Sequence, residues 1–323
     1  MIPAQGDGPP PPKVVAFGGG HGLAAALAAL RQVTPELTAV VTVADDGGSS
    51  GRLRDELGVL PPGDLRMALS ALAGTDEWSR TWSELFQHRF PGDGPLGGHA
   101  VGNLVLTALV ERLEDPVAAL DLCLKLLGGC GRVLPLSEGP VDIVADVDEH
   151  ADGAAARTLT EVRGQVAIAT ASGTVRSVRL VPADPEACPA ALQAVAGADA
   201  VVLGPGSLFT SVLPHLLVPQ MRAAIGQTAA VRILVLNLAA QPGETSGFSP
   251  EAHLEVLKRE APGLRLDVIV ADPASTPQPE RLRAAAAALG ARLVLHPVAV
   301  PGEVRHDPDR LAAALRTVLP RSA

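Results

Sequence analysis

The feature that most constrains the fold is a glycine-rich loop between a short apolar segment and an alanine- and leucine-rich segment near the start of the chain. Residues Val14–Phe17 predict a buried strand, Gly18–Gly22 a tight loop, and Leu23–Arg31 a helix of high propensity. The β-branched segment Thr38–Ala44 predicts a second, parallel strand. A strand–loop–helix–strand unit of about thirty residues is the building block of a doubly wound sheet. We therefore expect an α/β, Rossmann-like fold with a mostly parallel sheet.

The same rhythm continues through the chain with one β-rich interruption. Between about residues 137 and 183, Val, Ile and Thr are frequent and alternate with polar residues, which predicts an inserted antiparallel β excursion. Asp64 is predicted to cap a helix that reaches Ala73. We expect one α/β domain over residues 13–323, preceded by a disordered Pro/Gly-rich lead over residues 1–12.

Charge and aromatic content argue against a nucleic-acid partner. The 323 residues carry a net charge of −9 and no cluster of Lys or Arg, so a broad basic face is not expected. The chain has no Tyr, five Phe and two Trp, which disfavours a base-stacking surface. No apolar run reaches the roughly 18–20 residues of a membrane span, and three scattered Cys favour a reducing cytoplasm. We expect a cytoplasmic protein that binds a small molecule, with a homodimer as the default assembly.

Glycine-rich loops supply most of the candidate ligand-binding residues. Such a loop aims several backbone N–H groups at one point, and a helix N-terminus behind it favours an anion, so the combination binds phosphate. A tight turn without a ligand is the alternative for the first loop, and a packing role is the alternative for the glycines before Asn103. The candidates from the first, third and fourth loops are Gly18, Gly19, Gly20, His21, Gly22, Asn103, Gly204, Gly206, Ser207, Thr210 and Ser211.

The second loop adds carboxylates to the same pattern. Asp45 and Asp46 follow the second predicted strand, where adjacent carboxylates can hold a hydrated Mg²⁺ or a ribose diol. The residues after them that can wrap or pair with an anion are Gly47, Ser49, Ser50 and Arg52. A solvated loop with local ion pairs is the alternative interpretation.

Further polar residues follow later strands. Asn237 ends a predicted strand, and Gln241 and Glu244 come directly after it, where side chains face the ligand crevice of an α/β sheet. Arg305 lies in a charged segment near the C-terminus that could close such a site, with an exposed turn as the alternative.

Taken in order, these segments resemble the bacterial gluconeogenesis-factor family, often called YvcK, whose members are relatives of the 2-phospho-L-lactate transferases and share the CofD-like fold. The matching strings, from about Lys13 onward, are G-G-G-x-G, T-V-A-D-D-G-G-S-S-G-R-L-R, P-P-G-D-L-R, G-H-A-V-G-N-L, G-R-V-L-P, G-P-G-S-L-F-T-S-V-L-P and Q-P-G-E-T. The chain departs from this family in lacking any Tyr and in having His21 where relatives usually have Thr.

The resemblance implies a cytoplasmic protein that binds a nucleotide sugar, typically UDP-N-acetylglucosamine. It implies a role that links carbon metabolism and gluconeogenic growth to cell-wall synthesis and cell shape, with cell-wall or regulatory proteins as partners and no established turnover. The site implied by motif matching comprises Gly18 to Gly22, Asp45, Asp46, Asn103, Gly204 to Ser211, Asn237 and Arg305.

Two enzymatic alternatives remain beside this interpretation. The shared fold permits a transferase of the 2-phospho-L-lactate type, in which Mg²⁺ on Asp45 or Asp46 would stabilise charge on a transferred phosphoryl group. A nicotinamide oxidoreductase is disfavoured, because Leu23 stands where a dinucleotide fingerprint needs its last glycine. No cofactor is required by the sequence, and Mg²⁺ is the one ion that it suggests.

Overall fold

The computed structural model describes residues 10–149, 158–241, 244–245 and 247–320, with residues 149 and 158 described by their backbone alone. The predicted lead over residues 1–12 therefore lies largely outside the described residues, and residues 10–12 have no regular secondary structure.

The described residues contain ten strands. In chain order they are β1 (Val14–Gly18), β2 (Leu37–Val41), β3 (Arg132–Pro135), β4 (Asp142–Glu149), β5 (Thr158–Arg163), β6 (Thr174–Val181), β7 (Ala200–Leu203), β8 (Val231–Val235), β9 (Val268–Ala271) and β10 (Arg292–Leu295).

Seven of these strands form one parallel sheet in the order β10-β9-β8-β7-β1-β2-β3. Residues of β1, β7 and β9 are buried along their whole length, as expected where helices cover both faces of a parallel sheet. The strand runs are correspondingly apolar rather than alternating. This confirms the α/β, mostly parallel fold.

The direction in which the chain adds strands reverses at β1. From β1 it proceeds through β2 to the edge strand β3, and it later returns to place β7 on the other side of β1 and then continues outward to β10. Loops leaving neighbouring strands on opposite sides of such a reversal separate from one another and open a crevice at the strands' carboxyl ends. The crevice between β1 and β7 is therefore where this fold can accept a ligand.

Helices pack on both faces of the sheet. They are α1 (Gly20–Leu30), α2 (Gly48–Leu57), α3 (Pro62–Leu72), α4 (Glu77–Gln87), α5 (Val101–Leu113), α6 (Pro116–Leu126), α7 (Gln165–Ala169), α8 (Pro189–Ala196), α9 (Leu213–Leu217), α10 (Pro219–Gln227), α11 (Pro250–Glu260), α12 (Pro279–Ala287) and α13 (Pro308–Val318). A π-helical turn over Leu208–Val212 leads into α9, and a 3₁₀ turn spans Pro273–Ser275.

Several predicted loops are shorter than expected because helices begin inside them. Helix α1 starts at Gly20 and α2 at Gly48, so the second half of each glycine loop is a first helical turn. The prediction that Asp64 caps its helix is wrong. Pro61 is the capping residue, and Asp64 lies in the first turn without a capping hydrogen bond.

The β-rich interruption forms a separate three-stranded antiparallel sheet in the order β5-β4-β6, which spans Asp142–Val181 and confirms the predicted insertion. Its buried residues, among them Ile143, Val147 and Val178, belong to the same hydrophobic cluster as those of the main sheet. Helix α7 connects β5 to β6. Across the described residues, no helix is long and apolar enough to cross a membrane.

Candidate functional site

A cleft of about 520 Å³ opens at the carboxyl ends of β1, β7 and β8, at the reversal of strand order. A cleft of this size is typical of small-molecule sites. We call it the glycine-loop cleft. Its lining residues are Gly19, Gly20, His21, Gly22, Ala25, Gln165, Ala169, Pro205, Gly206, Ser207, Thr210, Ser211, Asn237, Leu238, Ala239, Ala240, Gln241, Glu244, Val304, Arg305 and His306.

The N-terminus of α1 forms one wall of this cleft. The first backbone hydrogen bond of the helix runs from Leu23 N–H to Gly19 O at 3.3 Å, so the preceding N–H groups have no acceptor within the helix. A Cβ atom on Gly22 would lie 2.3 Å from the carbonyl oxygen of Pro205, which means that only glycine lets α1 begin against the loop after β7. The first and fourth glycine loops are thus one packed unit.

The loop after β7 is held by Asn237, which lies two residues after the end of β8. The Asn237 Oδ1 atom accepts a hydrogen bond from the Gly206 N–H at 3.0 Å, and the Asn237 Nδ2 donates to the Gly206 carbonyl at 2.7 Å. Gly206 has a φ of +154°. Asn237 therefore fixes the backbone of this loop by a paired hydrogen bond and lines the cleft at the same time.

A buried carboxylate accepts hydrogen bonds from two of the hydroxyl groups that the sequence predicted would bind phosphate. The Ser207 hydroxyl donates to Glu244 Oε2, and the Thr210 hydroxyl lies 3.1 Å from Glu244 Oε1 and 2.7 Å from Ser207 Oγ. Glu244 is 3% exposed, and its burial raises the pKa of the carboxyl while the hydrogen bonds from Ser207 and Thr210 lower it. In this arrangement the loop hydroxyls already contact an anion.

The open side of the cleft is bordered by segments far apart in sequence. Arg305 is exposed, lines the cleft, and places its Nε 3.1 Å from Glu303 Oε2. Gln165 and Ala169 of α7 line the cleft from the antiparallel insertion. A ligand here would therefore contact the main sheet and the insertion together.

A second recess of about 330 Å³ lies beyond the end of β2, and the structure divides the predicted site residues between it and the glycine-loop cleft. We call it the Arg66 recess. Its lining residues are Asp45, Gly47, Gly48, Ser49, Ser50, Gly63, Asp64, Arg66, Met67, Arg89 and Asn103.

A chain of hydrogen bonds between side chains builds the wall of the Arg66 recess. Arg66 Nε donates to Asn103 Oδ1 at 2.8 Å, Asn103 Nδ2 donates to Ser49 Oγ at 3.0 Å, and Ser49 Oγ lies 2.9 Å from His99 Nδ1. Arg66 is 3% exposed, and its Nη1 has no hydrogen-bond partner among the described residues. Burial, with the charge of Arg89, lowers the pKa of Arg66 to about 10.

Asp64 stands where the two cavities meet. It lines the Arg66 recess, and its carboxylate accepts a hydrogen bond from the backbone N–H of Gly20, in the wall of the glycine-loop cleft. Burial and the nearby charge of Asp45 raise the pKa of Asp64 to about 7. Its Oδ2 has no hydrogen-bond partner among the described residues. This is an acid poised near neutral pH, the property that proton-transfer residues require.

The two neighbouring aspartates point to different places. Asp45 Oδ1 accepts from the Gly47 N–H at 2.9 Å, and Asp45 lines the Arg66 recess. Asp46 Oδ1 instead accepts from the Val166 N–H at 2.9 Å, at the start of α7 in the insertion. Asp45 and Asp64 are therefore the carboxylates that face one recess, although no group of three His, Cys, Asp or Glu suited to a metal occurs among the described residues.

Arg52 also lies outside both cavities. Because α2 begins at Gly48, Arg52 projects to the surface, where its Nη2 donates to the Gly97 carbonyl at 2.7 Å. Gly18 lies below the cleft as the last residue of β1. Gly204 does not line the cleft. The remaining candidates from the first and fourth loops do line it: Gly19, Gly20, His21, Gly22, Gly206, Ser207, Thr210 and Ser211.

Sequence reasoning missed Asp64, Arg66 and Arg89 as site residues. Asp64 and Arg66 belong to the P-P-G-D-L-R segment, which predicts a turn followed by an ordinary helix. The signal in the sequence was a pair of opposite charges in the first turns of a helix with an apolar face. In the structure, α3 buries nearly all residues of its first turns, so both charged side chains are buried rather than in solvent.

Comparison with known proteins agrees with this architecture. The family model described as 2-phospho-L-lactate transferase CofD matches residues 14–318. A Mycobacterium leprae protein provisionally named as a gluconeogenesis factor is 55% identical over 309 residues, which cover 94% of this chain and 85% of that protein. The gluconeogenesis factor of Listeria innocua is 35% identical over 321 residues, or 96% of each chain.

A solved structure extends the similarity to three dimensions. The crystal structure of a UPF0052-family protein from Bacillus halodurans aligns with a TM-score of 0.81 and 34% identity, and the alignment covers 94% of this chain and 98% of that one. The chain therefore belongs to the CofD family, in its gluconeogenesis-factor branch.

Proposed function

We propose that this chain binds a nucleotide sugar of the UDP-N-acetylglucosamine type in the glycine-loop cleft and acts in the cytoplasm as a regulator without turnover. The regulated process would be the link between gluconeogenic growth, cell-wall synthesis and cell shape. The observation that carries the proposal is the position of the cleft at the reversal of strand order, with the α1 N-terminus in its wall.

The diphosphate would lie against the His21 and Gly22 N–H groups in the first turn of α1, since the Gly20 N–H donates to Asp64, and against the loop that Asn237 holds. Both groups are held in place by contacts within the chain, since Gly22 packs against Pro205 and Gly206 is paired with Asn237. Arg305, at the rim, is the cation available to a phosphate or a sugar hydroxyl. The uracil and sugar would extend along the cleft toward α7 and residues 238–241.

The test is calorimetric titration of UDP-N-acetylglucosamine into the wild type and Arg305→Ala. Arg310→Ala is the matched control, because Arg310 is exposed, lies nearby in α13 and does not line the cleft. We expect Arg305→Ala to weaken binding by about tenfold, the loss typical of one charged hydrogen bond, and Arg310→Ala to leave it unchanged. Absence of binding to folded wild type would refute the proposal.

A transferase of the 2-phospho-L-lactate type is the second candidate, and Asp64 is the observation that favours it. Asp45 and Asp64 both line the Arg66 recess, next to the cleft, and Mg²⁺ is commonly held by one or two carboxylates together with substrate phosphates. These two residues, rather than Asp46, would hold the ion, which would neutralise charge on a transferred phosphoryl group. Formation of product from a deazaflavin, an activated phospholactate nucleotide and Mg²⁺ would establish this activity.

The assembly state is part of the same proposal. We propose a homodimer, the commonest closed assembly of soluble proteins, with cell-wall or regulatory proteins as further partners. Sedimentation equilibrium with and without the nucleotide sugar measures the oligomer, and a monomer under both conditions would contradict the dimer.

A further inference from the structure

We propose that Asp272 is a positioning residue for Arg305, the cation at the rim of the glycine-loop cleft. Asp272 does not itself line the cleft, so it would act by holding the segment that carries Arg305 in place. The inference rests on the proposed function in one respect, because Arg305 is the residue through which the effect would reach a bound nucleotide sugar.

The segment that carries Arg305 is a short hairpin over residues 298–307, which we call the Arg305 hairpin. Its backbone closes twice: the Asp307 N–H donates to the Val298 carbonyl at 2.8 Å, and the Val300 N–H donates to the Arg305 carbonyl at 2.9 Å. The residues at its tip, 301–305, are all exposed. The position of the tip therefore depends on the contacts made at the base of the hairpin.

Asp272 joins the base of the Arg305 hairpin to the end of β9. Its Oδ2 accepts the backbone N–H of Val298 at 2.7 Å and that of Ala299 at 2.9 Å, while its Oδ1 accepts the Ala274 N–H at 2.8 Å. Hydrogen bonds to an ionised carboxylate are roughly twice as strong as those between neutral groups. Asp272 is only 5% exposed, so water competes little for these bonds.

Asp272 is itself fixed to the main sheet. It directly follows the last residue of β9, and its backbone carbonyl accepts the Ser275 N–H at 3.1 Å and the Thr276 hydroxyl at 2.9 Å. Burial acts to raise the pKa of the Asp272 carboxyl, but its backbone N–H donors lower the pKa by more, so that it lies below its usual value. At neutral pH the side chain is therefore an ionised acceptor attached to a buried strand.

His306 gives the Arg305 hairpin a second attachment, at the end of β8. Its ring is hydrogen-bonded to the backbone of Leu236, the residue before Asn237. Asn237 in turn holds Gly206 in the loop after β7. The rim of the cleft and the loop after β7 are thus both attached to the ends of β8 and β9, which pair with each other in the sheet. The sheet therefore sets how far the rim lies from that loop.

Holding the hairpin before a ligand arrives should determine how much Arg305 contributes to binding. Ordering a loop at the moment of binding lowers the affinity, so a cation on a hairpin that is already held contributes more than one on a free loop. Removing the Asp272 carboxylate should therefore abolish the contribution of Arg305 to binding, and nothing beyond it.

The experiment is a double-mutant cycle on the binding of UDP-N-acetylglucosamine, measured by calorimetry with Arg305→Ala, Asp272→Ala and the variant that carries both. Asp267→Ala is the matched control, because Asp267 also accepts a backbone N–H, that of Arg232 at 2.8 Å, but at the opposite end of β9. Asp272→Asn is the conservative variant, since its amide oxygen can still face the two N–H donors of the hairpin. If Asp272→Ala does not fold, Asp272→Ser replaces it.

We expect Asp272→Ala to weaken binding by about tenfold, as Arg305→Ala does, and the double variant to bind no more weakly than Arg305→Ala alone. Asp272→Asn should retain most of the affinity and Asp267→Ala all of it. A double variant weaker than Arg305→Ala by a further factor of about ten would show that Asp272 does not act through Arg305, and would overturn the inference. Equal weakening by Asp267→Ala and Asp272→Ala would overturn it as well.

Amide hydrogen exchange in the ligand-free chain separates a failure of this inference from a failure of the proposed function. We expect faster exchange over residues 298–305 in Asp272→Ala than in the wild type, and unchanged exchange there in Asp267→Ala. Unchanged exchange in Asp272→Ala overturns the inference by itself. Absence of nucleotide-sugar binding to the folded wild type refutes the proposed function, whereas the exchange result still decides whether Asp272 holds the hairpin.

Discussion

Asp64 is the residue whose ionisation should most affect the stability of the fold. Its pKa rises from 3.8 to about 7 in the folded chain because the carboxyl is buried beside Asp45. A carboxyl with a raised folded pKa favours folding while it is protonated, so this contribution is complete below about pH 4 and declines as the pH rises toward about 7. Such a shift corresponds to up to ~4 kcal/mol between the two ends of this range.

The variant Asp64→Asn should remove this dependence. We expect its free energy of unfolding to change less than that of the wild type between about pH 5 and pH 8, and to be the higher of the two at the alkaline end. Urea denaturation at several pH values measures both chains. A parallel pH profile for the two would contradict a raised pKa at Asp64.

Asp45 and Asp46 should differ in their effect on metal dependence. Asp45 faces the Arg66 recess beside Asp64, whereas Asp46 binds the backbone of α7. If Mg²⁺ strengthens nucleotide-sugar binding, Asp45→Asn should abolish that enhancement and Asp46→Asn should preserve it. Calorimetric titration with Mg²⁺ and with EDTA compares them, and loss of the enhancement only in Asp46→Asn would contradict this assignment of the ion to Asp45.

At the scale of elements, the critical contact is the one between α1 and the loop after β7. A methyl group at Gly22 would lie 2.3 Å from Pro205 O and 2.8 Å from the Gly206 Cα, so the backbone itself has to move. We expect Gly22→Ala to lower the melting temperature and to abolish binding in the glycine-loop cleft.

Gly226→Ala is the matched control for this substitution. Gly226 lies inside α10, and a Cβ atom there meets nothing within 4 Å. Replacing a helical glycine by alanine should stabilise the chain by about 0.5–1 kcal/mol. Equal stability of the two alanine variants would show that the α1 contact is less tight than the structure indicates.

Asp46, in the loop after β2 of the main sheet, caps the N-terminus of α7 in the antiparallel insertion. Its carboxylate accepts the Val166 N–H at the start of α7, in the manner of an N-cap, although it lies 120 residues away in the chain. Asp46→Ala should cost about 1 kcal/mol of stability. It should also increase amide exchange in α7, while exchange in α10 remains at the wild-type rate and serves as the reference.

An element can be predicted from the sequence when its own residues determine its structure, and not when a partner strand does. Strands β7 (Ala200–Leu203) and β10 (Arg292–Leu295) are short, mainly apolar runs between turns, which is the sequence pattern of buried parallel strands. Strand β3 has no such pattern: it has four residues and ends in proline, and it forms because Val133 and Leu134 pair with Ala39 and Val40 of β2. That information lies in the partner strand, not in the segment itself.

The same distinction applies to the site. The loop residues of the cleft were predictable because the carboxyl ends of parallel strands meet at one edge. Arg52 was assigned to the anion site as a loop residue, but the helical start at Gly48 turns it to the surface. Arg66 could not be identified as a site residue from the sequence, because its burial results from the packing of α3 against α1 and α5.

At the scale of the whole molecule, the two tryptophans offer a test of whether the chain unfolds as one unit. The chain has two Trp and no Tyr, and both Trp78 and Trp82 lie on α4, so intrinsic fluorescence reports on that helix. Helix α4 inserts the fully buried Phe86 into the cluster that continues into the antiparallel insertion. We expect unfolding curves from fluorescence and from far-UV circular dichroism to coincide. Separated midpoints would mean that α4 and the rest of the chain unfold independently.

The carboxylate of Glu244 has a thermodynamic consequence for any phosphate that enters the fourth loop. Because Ser207 and Thr210 already donate to it, a phosphate using those hydroxyls must exchange with Glu244 rather than fill an empty position. The measured affinity is then the difference between two anions competing for one pair of donors, and it understates the intrinsic strength of the loop. A displaced Glu244 regains solvent and loses the burial that raises its pKa, so its affinity for a proton falls when phosphate binds.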